Sequence, residues 1–357
     1  MIGIDIGASA IKIVQIRKRG ARAILETYGT LSLGPYAGVE IGRATILQPE
    51  KIIAALTDIL REAKTTTKKG GITIPFGSTL MSVIEMPVVD PRQLTSMVPI
   101  EARKYIPVPI AEVSLDWSIV PKEGVKSTQE DPKDPNDKNL PKKSPMQDIL
   151  LVAIHNETLR EYQDIVSKVG LDANFFEIEI FSTIRAVLDK NTNPVLIMDM
   201  GAASTKLYIV DRGIVRASHT INRGSQDITM TLATSLNIPP DKAEIMKRTI
   251  GWTKDGQRKD ISDTISLVVD HIFSEAKHVI SNYQTKHLKN IEKTILVGGG
   301  SNMKGFIELA QAGLQMSVEL GDPFSKVEAP AFLTDVLRKN GPEFTAALGI
   351  ALRRIQE

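Results

Sequence analysis

A nine-residue motif occurs twice in this chain, once in each half, and the two copies align without a gap. The first copy is residues 4–12 (IDIGASAIK) and the second is residues 198–206 (MDMGAASTK). Each copy has an aspartate after apolar residues, a glycine two positions later, small residues through a turn, and a lysine seven positions after the aspartate. One copy alone is most simply a structural hairpin. Two matched copies predict two related halves with a shared site.

Small residues in both turns allow backbone N–H groups to approach phosphate oxygens closely. The two carboxylates, Asp5 and Asp199, are expected to hold a hydrated Mg²⁺ between the hairpins. The predicted phosphate contacts are Gly7, Ala8, Ser9, Ala10 and Lys12 in the first copy, and Gly201, Ala202, Ala203, Ser204 and Thr205 in the second.

A third element, residues 295–302 (ILVGGGSN), predicts a buried strand that enters a glycine-rich turn and then a helix. Glycine permits close backbone approach by a flat base or a sugar. A dinucleotide-binding turn is disfavoured, because the pattern is not Gly-x-Gly-x-x-Gly and lies far from the N-terminus. The residues predicted to contact the base or ribose are Gly298, Gly299, Gly300, Ser301 and Asn302.

Composition limits the other classes of function. A length of 357 residues predicts two packed lobes. A net charge of +2 disfavours nucleic-acid binding, and the absence of cysteine excludes disulfides and thiol catalysis and fits a reducing cytosol. The opening residues are not typical of a signal peptide, and no apolar run approaches the roughly 18 residues that span a bilayer. Membrane attachment is therefore expected only through a partner.

The order of predicted elements suggests an inserted subdomain. Residues 2–16 predict a hairpin, residues 22–33 a third strand, and residues 49–64 an amphipathic helix. From residue 78 to 168 a strand, helix, strand, strand, helix pattern follows, interrupted by a charged, proline-rich surface loop at residues 122–145.

The five histidines do not have metal-ligand spacing, so no metal site is assigned to them.

The motifs together resemble those of the actin-like ATPase superfamily. Asp5-x-Gly7, Asp199-x-Gly201 and residues 298–300 are similar to its two phosphate motifs and its adenosine motif, in the same order. Residues 243–247 (AEIMK) resemble its ribose-binding helix, which implies that Glu244 and Lys247 contact the ribose. Within the superfamily, residues 3–16, 101–107, 176–181, 243–247 and 347–352 resemble the PilM family of type IV pilus assembly proteins, which is related to FtsA.

The resemblance implies an α/β fold of the actin-like, ribonuclease H-like kind, with two lobes and an inserted 1C subdomain of the FtsA/PilM type. The boundaries that it implies are residues 1–77, 169–193 and 341–357 for subdomain 1A, 78–168 for 1C, 194–227 and 292–340 for 2A, and 228–291 for 2B.

The resemblance also implies a function: a cytoplasmic scaffold of the pilus assembly platform, peripheral to the inner membrane, that binds ATP and Mg²⁺. Its partner would be the N-terminal tail of a PilN-like inner-membrane protein, with motor ATPases, other platform proteins and self-association as further contacts. No nucleic acid and no direct membrane insertion are expected. The 78–168 segment offers strand edges and apolar side chains such as Met81, Val83 and Ile106 for gripping an extended tail, or these side chains fill its own core.

Two departures from the superfamily bear on catalysis. Ala8 stands where many members have serine, and residues 179–181 (EIF) lack the proline that usually follows the catalytic glutamate. Glu179 is therefore either the catalytic residue or a structural residue at a helix start. Slow or absent ATP hydrolysis is expected.

Two other functions stay open: a sugar-type kinase on the same fold and an FtsA-like filament protein of cell division. A type II secretion platform is an alternative to a pilus.

Overall fold

The computed structural model describes residues 1–20, 22–120, 145–189, 193–254 and 258–356. The predicted surface loop at residues 122–145 lies outside the described residues, except for its last residue, Pro145. The strands are β1 Ile2–Ile6, β2 Ala10–Arg19, β3 Arg22–Ser32, β4 Lys69–Ile74, β5 Thr79–Pro87, β6 Val113–Val120, β7 Met146–His155, β8 Asp172–Ile178, β9 Val195–Met200, β10 Thr205–Asp211, β11 Ile214–Ile221, β12 Thr294–Val297 and β13 Val318–Leu320. The helices are α1 Gly34–Ala37, α2 Pro49–Glu62, α3 Pro91–Ala102, α4 Asn156–Val169, α5 Glu179–Val187, α6 Ser225–Leu236, α7 Pro240–Thr249, α8 Lys259–His287, α9 Phe306–Leu314, α10 Thr334–Asn340 and α11 Thr345–Gln356.

The chain forms two compact units. The first contains residues 1–76 and 161–357, and the second contains residues 77–160. The finer subdomain boundaries given above stay a prediction.

The first unit is built on two five-stranded sheets with the same topology. Their strand orders are β3-β2-β1-β4-β8 and β11-β10-β9-β12-β13. In each sheet, the first three strands along the chain pair with one another in antiparallel fashion. The last two strands, β4 and β8 or β12 and β13, run parallel to the first strand, β1 or β9. The sheets confirm the two related halves that the repeated motif predicts.

Each sheet is the centre of one lobe. The first sheet packs on one side against α2 and the end of α4, and on the other side against α11. The second sheet packs against α6, α7, α8 and α9. Strands covered on both faces are apolar along their whole length, as residues 195–198 (VLIM) are in β9.

Helix ends in the first unit follow local sequence signals. Pro49 occupies the first turn of α2, where its missing N–H costs nothing. The sequence predicts a helical stretch over residues 228–283 with breaks near Pro239-Pro240 and at residues 251–256, and the structure divides it into α6, α7 and α8, with breaks at Pro239-Pro240 and after Gly251. The sequence also predicts a last helix over residues 342–355. In the structure this helix, α11, begins at Thr345, after a short 3₁₀ turn at Gly341–Phe344.

The second unit is a three-stranded antiparallel sheet, β5-β7-β6, covered by α3. Helix α3 begins at Pro91, and the side chain of Asp90 caps it by accepting the Arg92 N–H at 2.8 Å. Ile106 is buried in the core of this unit, whereas Val83 is exposed on the outer strand β5. Of the apolar residues named for tail binding, Ile106 therefore fills the core.

Candidate functional site

The two copies of the motif form the same hairpin turn. In the first, the Gly7 N–H donates to the Ala10 carbonyl at 3.0 Å, and in the second, the Gly201 N–H donates to the Ser204 carbonyl at 3.0 Å. The strand registers also match, since Asp5 lies opposite Lys12 and Asp199 lies opposite Lys206. The structure therefore presents two equivalent turns, each with an aspartate and a lysine at its base.

Both turns line one cleft with a volume of about 450 Å³. That volume lies within the roughly 300–1,000 Å³ typical of small-molecule sites. The cleft brings together most of the predicted site residues: Asp5, Gly7, Ala8, Ser9, Ala10, Lys12, Glu179, Asp199, Gly201, Ala202, Ala203, Ser204, Glu244, Lys247, Gly298, Gly299, Gly300 and Asn302.

Two predicted contacts, Thr205 and Ser301, are not part of the cleft lining. The Thr205 hydroxyl donates to the Arg223 carbonyl at 2.8 Å, and the Ser301 hydroxyl donates to the Val297 carbonyl at 2.6 Å. Both side chains hold neighbouring backbone segments in place.

The lining also contains residues that sequence reasoning missed. They include Thr183, Ser225, Arg248, Lys339, Asn340 and Glu343. Lys206 is a further omission, although the repeat itself indicated it, because Lys206 corresponds to Lys12 in the first copy.

Lys206 bridges two carboxylates at the floor of the cleft. Its Nζ atom lies 2.6 Å from Glu179 Oε1 and 3.5 Å from Asp199 Oδ2. All three side chains are largely buried, with exposures of 17% for Lys206, 10% for Glu179 and 16% for Asp199. In the first lobe, Asp5 Oδ1 instead accepts the Thr73 hydroxyl at 2.7 Å.

Burial and charge act together on this cluster. Burial raises the pKa of Glu179, and repulsion from Asp199 and Asp5 adds to this, while Lys206 opposes it. Burial alone would lower the pKa of Lys206, but attraction to Glu179, Asp199 and Asp5 outweighs it and raises that pKa. Lys206 is therefore a permanent cation in the cleft at neutral pH.

Glu179 is the first residue of α5, directly after β8. Its Oε1 atom accepts the Phe76 N–H at 2.7 Å as well as the Lys206 ammonium. Glu179 therefore begins a helix and also lines the cleft. The interpretation as a structural residue at a helix start and the interpretation as a residue of the site are compatible.

The pairing of β12 with β9 places the glycine-rich turn next to the second hairpin. Val297, the last residue of β12, pairs with Asp199, so Gly298 lies beside the Asp199 carboxylate. Gly298 has a φ of 84°, and a Cβ there would lie 2.3 Å from Asp199 Oδ1. Only glycine fits this position without strain.

Asn302, at the end of the same turn, has a buried Oδ1 atom with no hydrogen-bond partner among the described residues. A buried polar atom without a partner costs free energy, and a ligand in the cleft would supply a donor for it. Asn302 thus fits a ligand contact.

Glu244 and Lys247 form a buried ion pair at the other wall of the cleft. Lys247 Nζ lies 2.6 Å from Glu244 Oε2, and Arg248 Nε donates to Glu244 Oε1 at 2.6 Å. Burial would raise the pKa of Glu244, but Lys247 and the hydrogen bonds from Lys247, Thr229 and Arg248 lower it. Burial lowers the pKa of Lys247, although Glu244 opposes this. Their polar atoms are largely satisfied by each other and by Thr229.

Residues 42–45 connect the first hairpin to the second lobe. The Thr45 N–H donates to the Ala8 carbonyl at 2.8 Å, and the Ala44 N–H donates to Gln226 Oε1, on α6, at 3.1 Å. Gly42 has a φ of 89°, and a Cβ there would lie 2.9 Å from the Glu244 carboxylate. This segment therefore closes one side of the cleft next to the Glu244–Lys247 pair.

The described residues contain no group of three or more histidine, aspartate or glutamate side chains arranged to hold a metal ion. The Asp199 carboxylate lies beside the Lys206 ammonium, and the Asp5 carboxylate accepts the Thr73 hydroxyl. These residues do not form a direct ligand set for Mg²⁺, and water-mediated contacts from Asp5 and Asp199 stay a prediction.

None of the helices in the described ranges is long and apolar enough to cross a membrane.

A family model described as type IV pilus assembly protein PilM matches residues 3–355. Among solved structures, a PilM–PilN type IV pilus biogenesis complex is similar over 100% of this chain and 98% of its own, with a TM-score of 0.80 and 23% identity. MreB5 of Spiroplasma citri bound to AMPPNP is similar over 99% of this chain and 95% of its own, with a TM-score of 0.55 and 11% identity. These similarities confirm the predicted actin-like fold.

Among curated proteins, the cell division protein FtsA of Pseudomonas aeruginosa is 26% identical over 217 residues, which are 54% of this chain and 50% of that protein. The chain spans about half the length of the curated relatives it matches.

Proposed function

The chain belongs to the family of type IV pilus assembly protein PilM, and on that premise we propose that it is an ATP-binding scaffold of a pilus assembly platform. The observation that carries the nucleotide site is the convergence of two equivalent hairpin turns on one cleft.

The turns offer free backbone donors for phosphate groups. In the described part of the chain, the N–H groups of Ala8, Ser9, Ala202 and Ala203 donate to no carbonyl or side chain. Clustered free N–H groups in a turn favour an anion. Lys12, Lys206, Lys247, Arg248 and Lys339 add positive charge to the lining. The triphosphate would lie between the turns, with the base and ribose toward Gly298, Asn302 and the Glu244–Lys247 pair.

The position of Glu179 supports binding without rapid turnover. A general base needs a carboxylate within hydrogen-bond reach of the attacking water. Glu179 Oε1 already accepts the Lys206 ammonium and the Phe76 N–H, so only its other oxygen, Oε2, is left to approach a water. ATP would then act as a conformational ligand that stabilises one arrangement of the lobes by binding it more tightly.

The partner in this proposal is the N-terminal tail of a PilN-like inner-membrane protein. A related solved structure is a PilM–PilN complex. The second unit offers the outer strands β5 and β6, to which an extended peptide can add main-chain hydrogen bonds. Val83 on β5 is 40% exposed and would provide an apolar contact for such a peptide.

This partner would hold the chain at the cytoplasmic face of the inner membrane. Nucleotide occupancy would then be communicated through the platform to the pilus motor.

Calorimetric titration tests both parts of the proposal. ATP should bind saturably to the full chain, and so should a peptide copying the cytoplasmic tail of the cognate PilN-like protein. Phosphate release should be much slower than the enzyme median of about 10 per second. Failure of the peptide to bind, with and without ATP, would contradict the scaffold. Rapid phosphate release would favour a kinase or an ATPase.

A further inference from the structure

The two hairpins have the same backbone but use their lysines differently. Lys12 and Lys206 occupy equivalent positions, each opposite the aspartate of its own hairpin. Lys206 is within 4 Å of two carboxylates, whereas Lys12 makes no ion pair within 4 Å in the described part of the chain. Both lysines line the cleft, and of the two only Lys206 is held in place by ion pairs.

Lys206 lies beside one of the two carboxylates that the sequence assigns to a hydrated Mg²⁺. Its ammonium is 3.5 Å from Asp199 Oδ2, so an ion held by Asp199 would compete with Lys206. Displacing Lys206 would leave Glu179 as a buried carboxylate without its counterion, which is costly. An ion that bound beside Lys206 would be repelled by its positive charge.

Resting on the ATP site proposed above, we propose that Lys206 is a tethered cation that replaces much of the charge neutralisation normally supplied by Mg²⁺. Lys206 follows the Gly201–Ser204 turn by two residues, and its side chain lines the same cleft. A lysine ammonium is a compact point charge that binds phosphate well. The chain would therefore bind ATP with little dependence on divalent cations.

The test is calorimetric titration of ATP into the full chain, in parallel with Mg²⁺ and with EDTA. For the natural sequence, the two dissociation constants should agree within about threefold, because the neutralising charge is covalently attached. For Lys206→Met, ATP affinity in EDTA should fall by about tenfold or more, and Mg²⁺ should restore much of it. Lys206→Arg keeps the positive charge, so its ATP affinity in EDTA should stay above that of Lys206→Met.

Lys12→Met is the matched control from the equivalent hairpin. It removes the same charge from the same cleft without touching the Lys206 ion pairs, so it should weaken ATP binding equally in both buffers. Lys206→Met leaves Glu179 without its counterion, so a double variant, Lys206→Met with Glu179→Gln, guards against unfolding. The double variant should show the same new dependence on Mg²⁺, and circular dichroism would verify its fold.

The possible outcomes separate the two proposals. ATP binding by the natural sequence only with Mg²⁺ would overturn the role of Lys206 but keep the nucleotide site. Equal insensitivity to Mg²⁺ in the folded Lys206→Met or double variant would also overturn it. No binding in either buffer would overturn the nucleotide site and the inference together.

Discussion

Gly298 and Asp199 are so close that a methyl group at position 298 would lie 2.3 Å from the Asp199 Oδ1 atom. The parallel pairing of β12 with β9 produces this contact, because it aligns Val297 with Asp199. The glycine-rich turn and the second hairpin therefore cannot be altered independently.

We expect Gly298→Ala to destabilise the chain and to weaken ATP binding. Its φ of 84° disfavours alanine, which alone costs about 1–3 kcal/mol, and the steric contact pushes the carboxylate away. Thermal unfolding and calorimetry would measure the two effects. Gly299→Ala is the matched control, because a Cβ there lies 3.8 Å from its nearest neighbour, the Cβ of Glu343. Equal stability of the two variants would contradict the assigned geometry.

Asn302→Ala should weaken ATP binding by about tenfold, the value of one hydrogen bond, because it removes the buried acceptor that awaits a donor. The adenine amino group is such a donor, so the natural chain should prefer ATP to ITP and the variant should lose that preference. Competition between the two nucleotides would measure this. Ser301→Ala should lower stability but leave the preference intact, since Ser301 does not line the cleft.

Glu343 gives the site a dependence on pH. Burial raises the pKa of Glu343 above its usual value of 4.5, although Lys12 and Arg248 oppose this. As the pH falls through this raised pKa, the carboxylate becomes neutral and stops repelling a triphosphate, so affinity should rise. Lowering the pH also stabilises the folded state, because Glu343 binds a proton more tightly in the folded chain than in the unfolded chain.

Glu343→Gln should therefore raise ATP affinity at neutral pH by about three- to tenfold. It should also remove the part of the pH dependence that Glu343 contributes. Titration of both proteins across the acidic range would separate this part from protonation of ATP itself, which is common to both. An unchanged affinity would show that Glu343 does not face the phosphates.

Val83→Asp should weaken binding of the PilN-like tail peptide by about tenfold or more, because a bound strand would bury the new charge. Ile119→Asp on the other outer strand, β6, is the control, since Ile119 is similarly exposed at 48%. Loss of binding in the Ile119 variant alone would move the site from β5 to β6. Retention in both would exclude the edges of this sheet.

Short sequence patterns predicted those strands, turns and helix boundaries that are formed by residues close together in the chain. The repeated motif located β1, β2, β9 and β10 and most of the cleft, because a hairpin with its turn is encoded within about ten residues. The proline pair at residues 239–240 marked the boundary between α6 and α7 for the same reason.

Long-range contacts could not be read in this way. The pairing of Lys206 with Glu179 joins two lobes, and the sequence gives no signal for the partner that a buried lysine will find. Strand β8 was missed because residues 172–178 (DANFFEI) show neither alternation nor a continuous apolar run. Glu343 was hidden in a 3₁₀ turn that the sequence suggested was helix.

Residues 44 and 45 tie the first hairpin turn to helix α6 through hydrogen bonds on adjacent residues. Any outward swing of the second lobe must break the bond from the Ala44 N–H to Gln226 before the segment can follow. The Lys206–Glu179 ion pair also joins the two lobes. An opening movement would therefore have to release this hydrogen bond and that buried ion pair together.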